Sequence, residues 1–167
     1  MILVYTGDGK GKTSACVGQA LRALGQGMTV AFGQFMKRDG QAGEQVMLSR
    51  LLGDRFLAGG LGFLRNPAER PAHRQAALKV LSWAQVQLAD CDMLLLDEAL
   101  YALCANLLTR EDVETLLHAA RREKCHLVLS GRNVPGWLVA VADLVTSMTE
   151  VKHPWQQGIT ATKGIEF

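Results

Sequence analysis

Short runs of apolar, β-prone residues alternate along this chain with segments whose apolar positions recur at helical spacing. Ile2-Leu3-Val4-Tyr5 opens it as a strand. Ser14 to Gln26 carries Val17, Ala20, Leu21 and Leu24 on one helical face and is closed by Gly25 and Gly27. A second strand is predicted over Thr29 to Phe35. Gly43 to Leu52 reads as a short helix with Val46, Leu48, Leu51 and Leu52 as core positions. From Ala58 to Pro71 the pattern breaks into a Gly-, Asn- and Pro-rich connection of the length that is usually functional or mobile. A helix from about Ala72 to Leu88 follows. The strand Met93-Leu94-Leu95-Leu96-Asp97 comes next, and its unbroken apolar run suits burial on both faces. Thr109-Arg110-Glu111-Asp112 resembles a helix start, with acidic side chains near the positive helix end, and that helix runs to about Lys124. His126 to Ser130 is a strand, Pro135 to Ala142 a helix, Leu144 to Met148 a last strand, and Glu150 to Phe167 an irregular tail. Strands alternating with helices in this way build a mostly parallel sheet covered on both faces, an α/β fold.

The 167 residues suffice for one well-buried core and are too few for two ordinary domains. Hydrophobic residues make up 49% and charged ones 20%, the balance of a packed globule without low-complexity segments. A net charge of +2, with scattered basic residues and no aromatic-basic interleaving, argues against a nucleic-acid partner. No apolar stretch approaches a membrane span, and the chain opens on a strand rather than a signal peptide, which predicts a cytoplasmic protein without membrane association. Cys16, Cys91, Cys104 and Cys125 lie far apart, and the four histidines lack ligand spacing, so neither a zinc site nor a disulfide framework is suggested.

Chemistry enters between the first strand and the first helix. Thr6-Gly7-Asp8-Gly9-Lys10-Gly11-Lys12-Thr13 is a glycine-rich phosphate cradle: its N–H groups can converge on an anion, and the following helix adds its positive end. Lys12 would reach the phosphates and Thr13 would hold Mg²⁺. The loop is a variant, because the strict pattern wants glycine five places before Gly11, where Thr6 stands. The second element is Asp97-Glu98, ending the apolar strand. An acidic residue there completes the Mg²⁺ shell in phosphate-loop proteins, and either Asp97 or Glu98 can be that residue. These features describe an ATP- or GTP-binding domain with a phosphate-loop, RecA-like architecture. By themselves they leave open a kinase or ATPase, a nucleotide-dependent binding module, or another transferase.

Further segments narrow the choice. The phosphate loop, Gln34-Phe35-Met36-Lys37 with Gly43-Glu44, Leu95-Leu96-Asp97-Glu98 and Ser130-Gly131-Arg132-Asn133 occur in order. Val151-Lys152-His153-Pro154, Gly158-Ile159 and Lys163-Gly164-Ile165-Glu166-Phe167 complete the set. Together they resemble the motifs of the phosphate-loop ATP:corrinoid adenosyltransferases, across nearly the whole chain. The resemblance implies transfer of the 5′-deoxyadenosyl group of ATP to Co(I) of a reduced corrinoid, with release of intact triphosphate. Co(I) is itself a strong nucleophile, so the chemistry calls for alignment and charge neutralisation rather than a protein nucleophile.

The same resemblance implies roles for particular residues. Thr6, Gly7, Asp8, Gly9, Lys10, Gly11, Lys12, Thr13 and Ser14 would bind ATP together with Gln34, Lys37, Arg132 and Asn133. Lys12, Thr13 and Glu98 would act in catalysis, and Thr13, Asp97 and Glu98 at the metal. Glu44, Phe63, Arg65, His153 and Trp155 would meet the corrinoid. Gly62-Phe63-Leu64-Arg65 aligns with a family segment reading Gly-Phe-Thr-Trp, so Phe63 is retained while Arg65 stands where the family has Trp. Arg65 would bind a corrin side-chain carboxylate, or the substrate would be a corrinoid lacking a lower base. An electron donor for Co(II) and a homodimer are also implied.

Overall fold

The computed structural model describes residues 1–166; Phe167, the last residue of the C-terminal motif, lies outside them. Six parallel strands form one sheet: β1 (Ile2–Thr6), β2 (Val30–Gln34), β3 (Phe56–Ala58), β4 (Met93–Asp97), β5 (His126–Ser130) and β6 (Leu144–Ser147). Their order across the sheet is β3-β2-β4-β5-β1-β6. Six α-helices connect or flank them: α1 (Lys12–Gly25), α2 (Gly43–Leu52), α3 (Arg70–Gln87), α4 (Ala99–Cys104), α5 (Arg110–Arg122) and α6 (Gly136–Val141).

The two-residue period of the strands divides the core. Leu94 and Leu96 join Val80, Leu100, Leu116 and Leu138 on one face, while Met93 and Leu95 join Cys16, Ala20, Phe32 and Leu48 on the other. Leu94, Leu95 and Leu96 are each fully buried, so each contributes about 1.5–3 kcal/mol of burial free energy. This explains why β4 shows an unbroken apolar run rather than alternation.

Local signals set most element ends. Thr109 caps α5 by accepting the Asp112 N–H at 3.1 Å, while Asp112 accepts the Thr109 N–H at 2.8 Å. Pro71 stands in the first turn of α3, where its missing N–H costs nothing. Two elements were absent from the periodicity reading. The edge strand β3 is only three residues long, and the six-residue α4 starts directly after Glu98, too short for a helical period to show. The connection after Ala58 is also less free than its composition suggests. The Gly59 N–H donates to Gln34 O at 3.2 Å and the Gly60 N–H to Lys37 O at 3.1 Å, tying it to the end of β2.

Some predicted core positions face outward. Leu21 on α1 and Val46 and Leu51 on α2 are exposed, whereas Cys16, Ala23 and Leu48 take the inward positions. Helix α2 packs beside β2 and β3 at the end of the sheet, so only a narrow stripe of it is covered. Cys91 and Cys125, distant in sequence, bring their sulfurs to 3.5 Å just before β4 and β5. No helix among the described residues is long and apolar enough to cross a membrane.

Candidate active site at the carboxyl edge of the sheet

Parallel strands all end on one edge, and ligands of open α/β sheets bind there. Here the register brings polar strand ends to one level. Gln34 pairs with Asp97, and Leu96 with Leu129, so Gln34, Asp97 and Ser130 close three adjacent strands together. All three are fully buried. Asp97 is their hub: Oδ1 accepts from Ser130 Oγ at 2.6 Å, and Oδ2 from Thr13 Oγ1 at 3.0 Å and Gln34 Nε2 at 3.3 Å. The Lys37 ammonium lies 3.3 Å from Asp97 Oδ2, 2.7 Å from Glu44 Oε1 and 3.2 Å from Thr13 Oγ1. Burial alone would lower the pKa of Lys37. Asp97, Glu44 and Glu98 outweigh that and hold it raised, so the ammonium stays charged.

The phosphate loop is shaped from both sides. Lys12 Nζ donates to Gly7 O and Gly9 O, each at 2.6 Å, and its pKa is lowered by burial and by Arg132. From the other side the backbone after β6 crosses the loop, with the Gly9 N–H donating to Met148 O at 2.8 Å. A Cβ on Gly7 would stand 2.3 Å from Met148 O, and one on Gly9 2.7 Å from the Thr149 carbonyl carbon. Gly7 also has φ +99°. These glycines are required by the close passage of residues 148–149 as well as by any phosphate.

Glu98 follows Asp97 in a left-handed conformation, φ 61°, and its N–H donates to Ser130 Oγ at 3.0 Å. This turn ends the strand, and Glu98 lines the cavity at the sheet's carboxyl edge. Burial, then the Asp97 charge, push its pKa up to about 7, and Oε2 is buried with no hydrogen-bond partner.

The loop, Lys37, Glu44 and Glu98 line a cavity of about 680 Å³ together with Phe63, Tyr101 and His153. Phe63 and Tyr101 meet edge to face with ring centroids 5.1 Å apart, a favourable aromatic geometry. One space is therefore bordered both by an anion cradle and by an aromatic pair.

The profile of the family described as ATP:corrinoid adenosyltransferase BtuR/CobO/CobP matches residues 1–167. The chain belongs to that family. It is 36% identical over 173 residues to a corrinoid adenosyltransferase of Sinorhizobium sp., covering 100% of this chain and 80% of the relative. To the corrinoid adenosyltransferase CobA of Salmonella typhimurium it is 34% identical over 169 residues, covering 100% and 85%. The Pseudomonas aeruginosa corrinoid adenosyltransferase is 37% identical over 173 residues, with 100% and 83% covered. The flagellar accessory protein FlaH of Methanocaldococcus jannaschii shares the fold, with TM-score 0.56 at 12% identity over 87% of this chain and 69% of that one. This likeness bears on architecture alone.

In this adenosyltransferase most residues expected at the nucleotide gather in the cavity. Asp8 to Ser14, Lys37 and Arg132 line it, with Arg132 Nη1 3.6 Å from Asp8 Oδ1 at the exposed rim. Thr6, Gly7 and Gln34 do not line it: Thr6 is a buried residue of β1, Gly7 holds Lys12 through its carbonyl, and Gln34 is buried and bonded to Asp97 and Glu44. Asn133 does not line it either, and its backbone carbonyl accepts from Cys104 Sγ at 3.3 Å. Among the expected corrinoid residues, Phe63, Glu44 and His153 line the cavity and Arg65 does not. Trp155, 77% exposed, instead lines a smaller hollow of about 360 Å³ in the tail, adjoining through His153. Sequence reasoning missed Tyr101 and Ser130 as site residues. Ser130 could have been found as the polar end of the apolar strand next to Asp97, and Tyr101 only once α4 was recognised.

The donor set suits Mg²⁺. Thr13, Asp97 and Glu98, whose Oε2 is buried without a hydrogen-bond partner, offer hard oxygens. That is the usual Mg²⁺ arrangement, in which one or two carboxylates leave the remaining positions to phosphate and water.

A raised carboxyl pKa has a definite sign. The folded chain holds the Glu98 proton from about pH 4.5 up to about pH 7 while the unfolded chain has lost it. Stability from this group is therefore greatest below pH 4.5, declines as pH rises and levels off above 7. Melting of wild type and Glu98→Gln in chelator across this range is expected to show a wild-type Tm falling relative to the variant. Parallel curves would mean that Glu98 ionises normally.

Proposed function

We propose that this chain transfers the 5′-deoxyadenosyl group of ATP to Co(I) of a reduced corrinoid, from a single domain over residues 1–167. The cobalt electron pair attacks C5′, the C5′–O bond breaks with its electrons passing to the triphosphate, and a carbon–cobalt bond forms. The observation that carries this reading is the joining of the phosphate loop and the Phe63–Tyr101 wall in one cavity. The cradle suits the triphosphate and the aromatic wall an apolar face of the corrin ring, which brings the two reactants to a common boundary.

Lys12 and Lys10 neutralise the leaving triphosphate, Thr13, Asp97 and Glu98 would hold the metal, and the loop N–H groups fix the phosphate oxygens. Mg²⁺, when bound there, supplies further charge neutralisation on the same leaving group. Gln34 orients Asp97 and Glu44 from below through bonds of 3.3 and 3.2 Å. His153 and Phe63 bound the corrinoid side, with Arg65 and Trp155 reaching a corrin side chain from outside the cavity. An electron donor reduces Co(II) before transfer. The protein acts in the cytoplasm as a homodimer, a reading supported by the apolar outer side of α2, where Val46, Met47 and Leu51 are exposed.

Anaerobic incubation with ATP, Mg²⁺ and chemically reduced corrinoid tests the reaction. The expected result is loss of the Co(I) absorbance with release of intact triphosphate; ADP with unchanged cobalt would indicate an ATPase or kinase. Phe63→Ala is expected to slow reactions begun from Co(II) about tenfold or more and those begun from Co(I) much less, because an apolar wall can displace cobalt's lower ligand only before reduction. Equal slowing of both would remove that role from Phe63.

A further inference from the structure

We propose that the Lys37 ammonium is a built-in counter-ion that competes with the divalent cation for Thr13 and Asp97, so that the chain takes up the metal together with the triphosphate rather than before it. The inference rests on the metal reading above. Lys37 Nζ lies 3.2 Å from Thr13 Oγ1 and 3.3 Å from Asp97 Oδ2, and those two oxygens are 3.0 Å from each other. The ammonium thus caps the very edge a metal would bridge. Its third partner, Glu44 Oε1 at 2.7 Å, holds it there.

Mg²⁺ sits at about 2.0–2.1 Å from its oxygens, so an ion bridging this edge would lie within roughly 4–5 Å of the ammonium wherever around the edge it sat. Two cations that close, screened poorly because Asp97 is 1% and Lys37 19% exposed, repel strongly. One of them has to leave, and the ammonium has somewhere to go. The Lys37 backbone is pinned by the Gly60 N–H at its carbonyl, 3.1 Å, while the four-carbon side chain borders the cavity that takes the triphosphate. Phosphate oxygens offer the displaced ammonium a new partner. Triphosphate binding then frees the edge for the metal, and by linkage the metal tightens triphosphate binding by the same factor.

The test is titration of the full chain with Mn²⁺ alone, followed by the paramagnetic resonance of the free ion. Lys37→Met, which keeps the apolar stem without the charge, is expected to bind Mn²⁺ at least about tenfold more tightly than wild type. Lys37→Arg is expected to stay near wild type, and adding Asp97→Asn to Lys37→Met should abolish the gain. Lys37→Gln gives the same comparison if the Met variant does not fold. Equal or weaker Mn²⁺ binding by the neutral variants overturns the inference. A parallel measurement of Mn²⁺–ATP binding to wild type and Asp97→Asn separates the two ideas. If that binding depends on Asp97 while the neutral variants show no gain, only the counter-ion role fails. If it is indifferent to Asp97→Asn, the metal reading fails and takes the inference with it.

Discussion

Lys12→Ala is expected to reduce triphosphate affinity and the rate of adenosyl transfer together, the rate by about 10²–10³-fold. Two effects combine. In the proposed reaction the ammonium is the loop's charged donor to the leaving triphosphate, and within the chain it ties Gly7 O to Gly9 O through two 2.6 Å bonds. Alanine removes the charge and loosens the curvature that makes the N–H groups converge. Both readouts should fall because the triphosphate is held by the same group in the ground state and during departure. The measurement is calorimetric ATP binding beside the rate of Co(I) loss. Unchanged ATP binding would mean that the loop is not the phosphate site.

Asp97→Ala is expected to be the most destabilising single change in the site. Asp97 is fully buried and is bonded to Thr13, Gln34, Ser130 and Lys37. Removing one partner of a buried charge pair costs about 3–5 kcal/mol, because the other charge is left poorly compensated. For a chain of this length that corresponds to a drop in Tm on the order of 10 °C. Glu44, 2.7 Å from Lys37, should limit the loss. Asp97→Asn keeps the shape and some of the hydrogen bonding, so its Tm should fall less while metal binding is still lost. Thermal melting by circular dichroism in chelator checks the order of wild type, Asn and Ala. If the alanine variant melted within a degree or two of wild type, Asp97 would not be the hub of the polar floor.

The parts legible in the sequence were those governed by local rules. The phosphate loop announced itself because glycines, a lysine and a hydroxyl at fixed spacing have few other uses between a strand and a helix. The strands β1, β2, β4 and β5 followed from apolar runs, and α5 from its capping box at Thr109 and Asp112. The elements that escaped were short. β3 has three residues and α4 six, fewer than a period needs, and both owe their shape to neighbours. β3 forms because β2 offers it an edge, and α4 because Glu98 turns the chain at φ 61°.

The site divides in the same way. Sequence named Lys12, Thr13, Asp97, Glu98, Lys37, Glu44 and Phe63, all of which meet at the carboxyl edge of the sheet. It also named Thr6, Gly7, Gln34 and Asn133 for direct nucleotide contact, yet none of the four lines the cavity, and Thr6 and Gln34 are buried. Motif membership marks a residue as part of the local apparatus but does not tell a contact from the support beneath it, since that depends on which way a strand end points. Gln34 and Ser130 are supports because the register between β2, β4 and β5 lays them flat against Asp97.

What the sequence by itself determined was the class of fold, from the alternation of strands and helices along the chain, and the phosphate cradle and the acidic strand end, each written in a short run of neighbouring residues. Only the tertiary structure decided that the chain after β6 crosses the loop so that Gly7 and Gly9 must be bare, that Tyr101 backs Phe63, and that Lys37 rests on the oxygens of Thr13 and Asp97. The physical reason is common to all three. Each is a contact between segments far apart in the chain, fixed by strand order and register, and no local propensity encodes it.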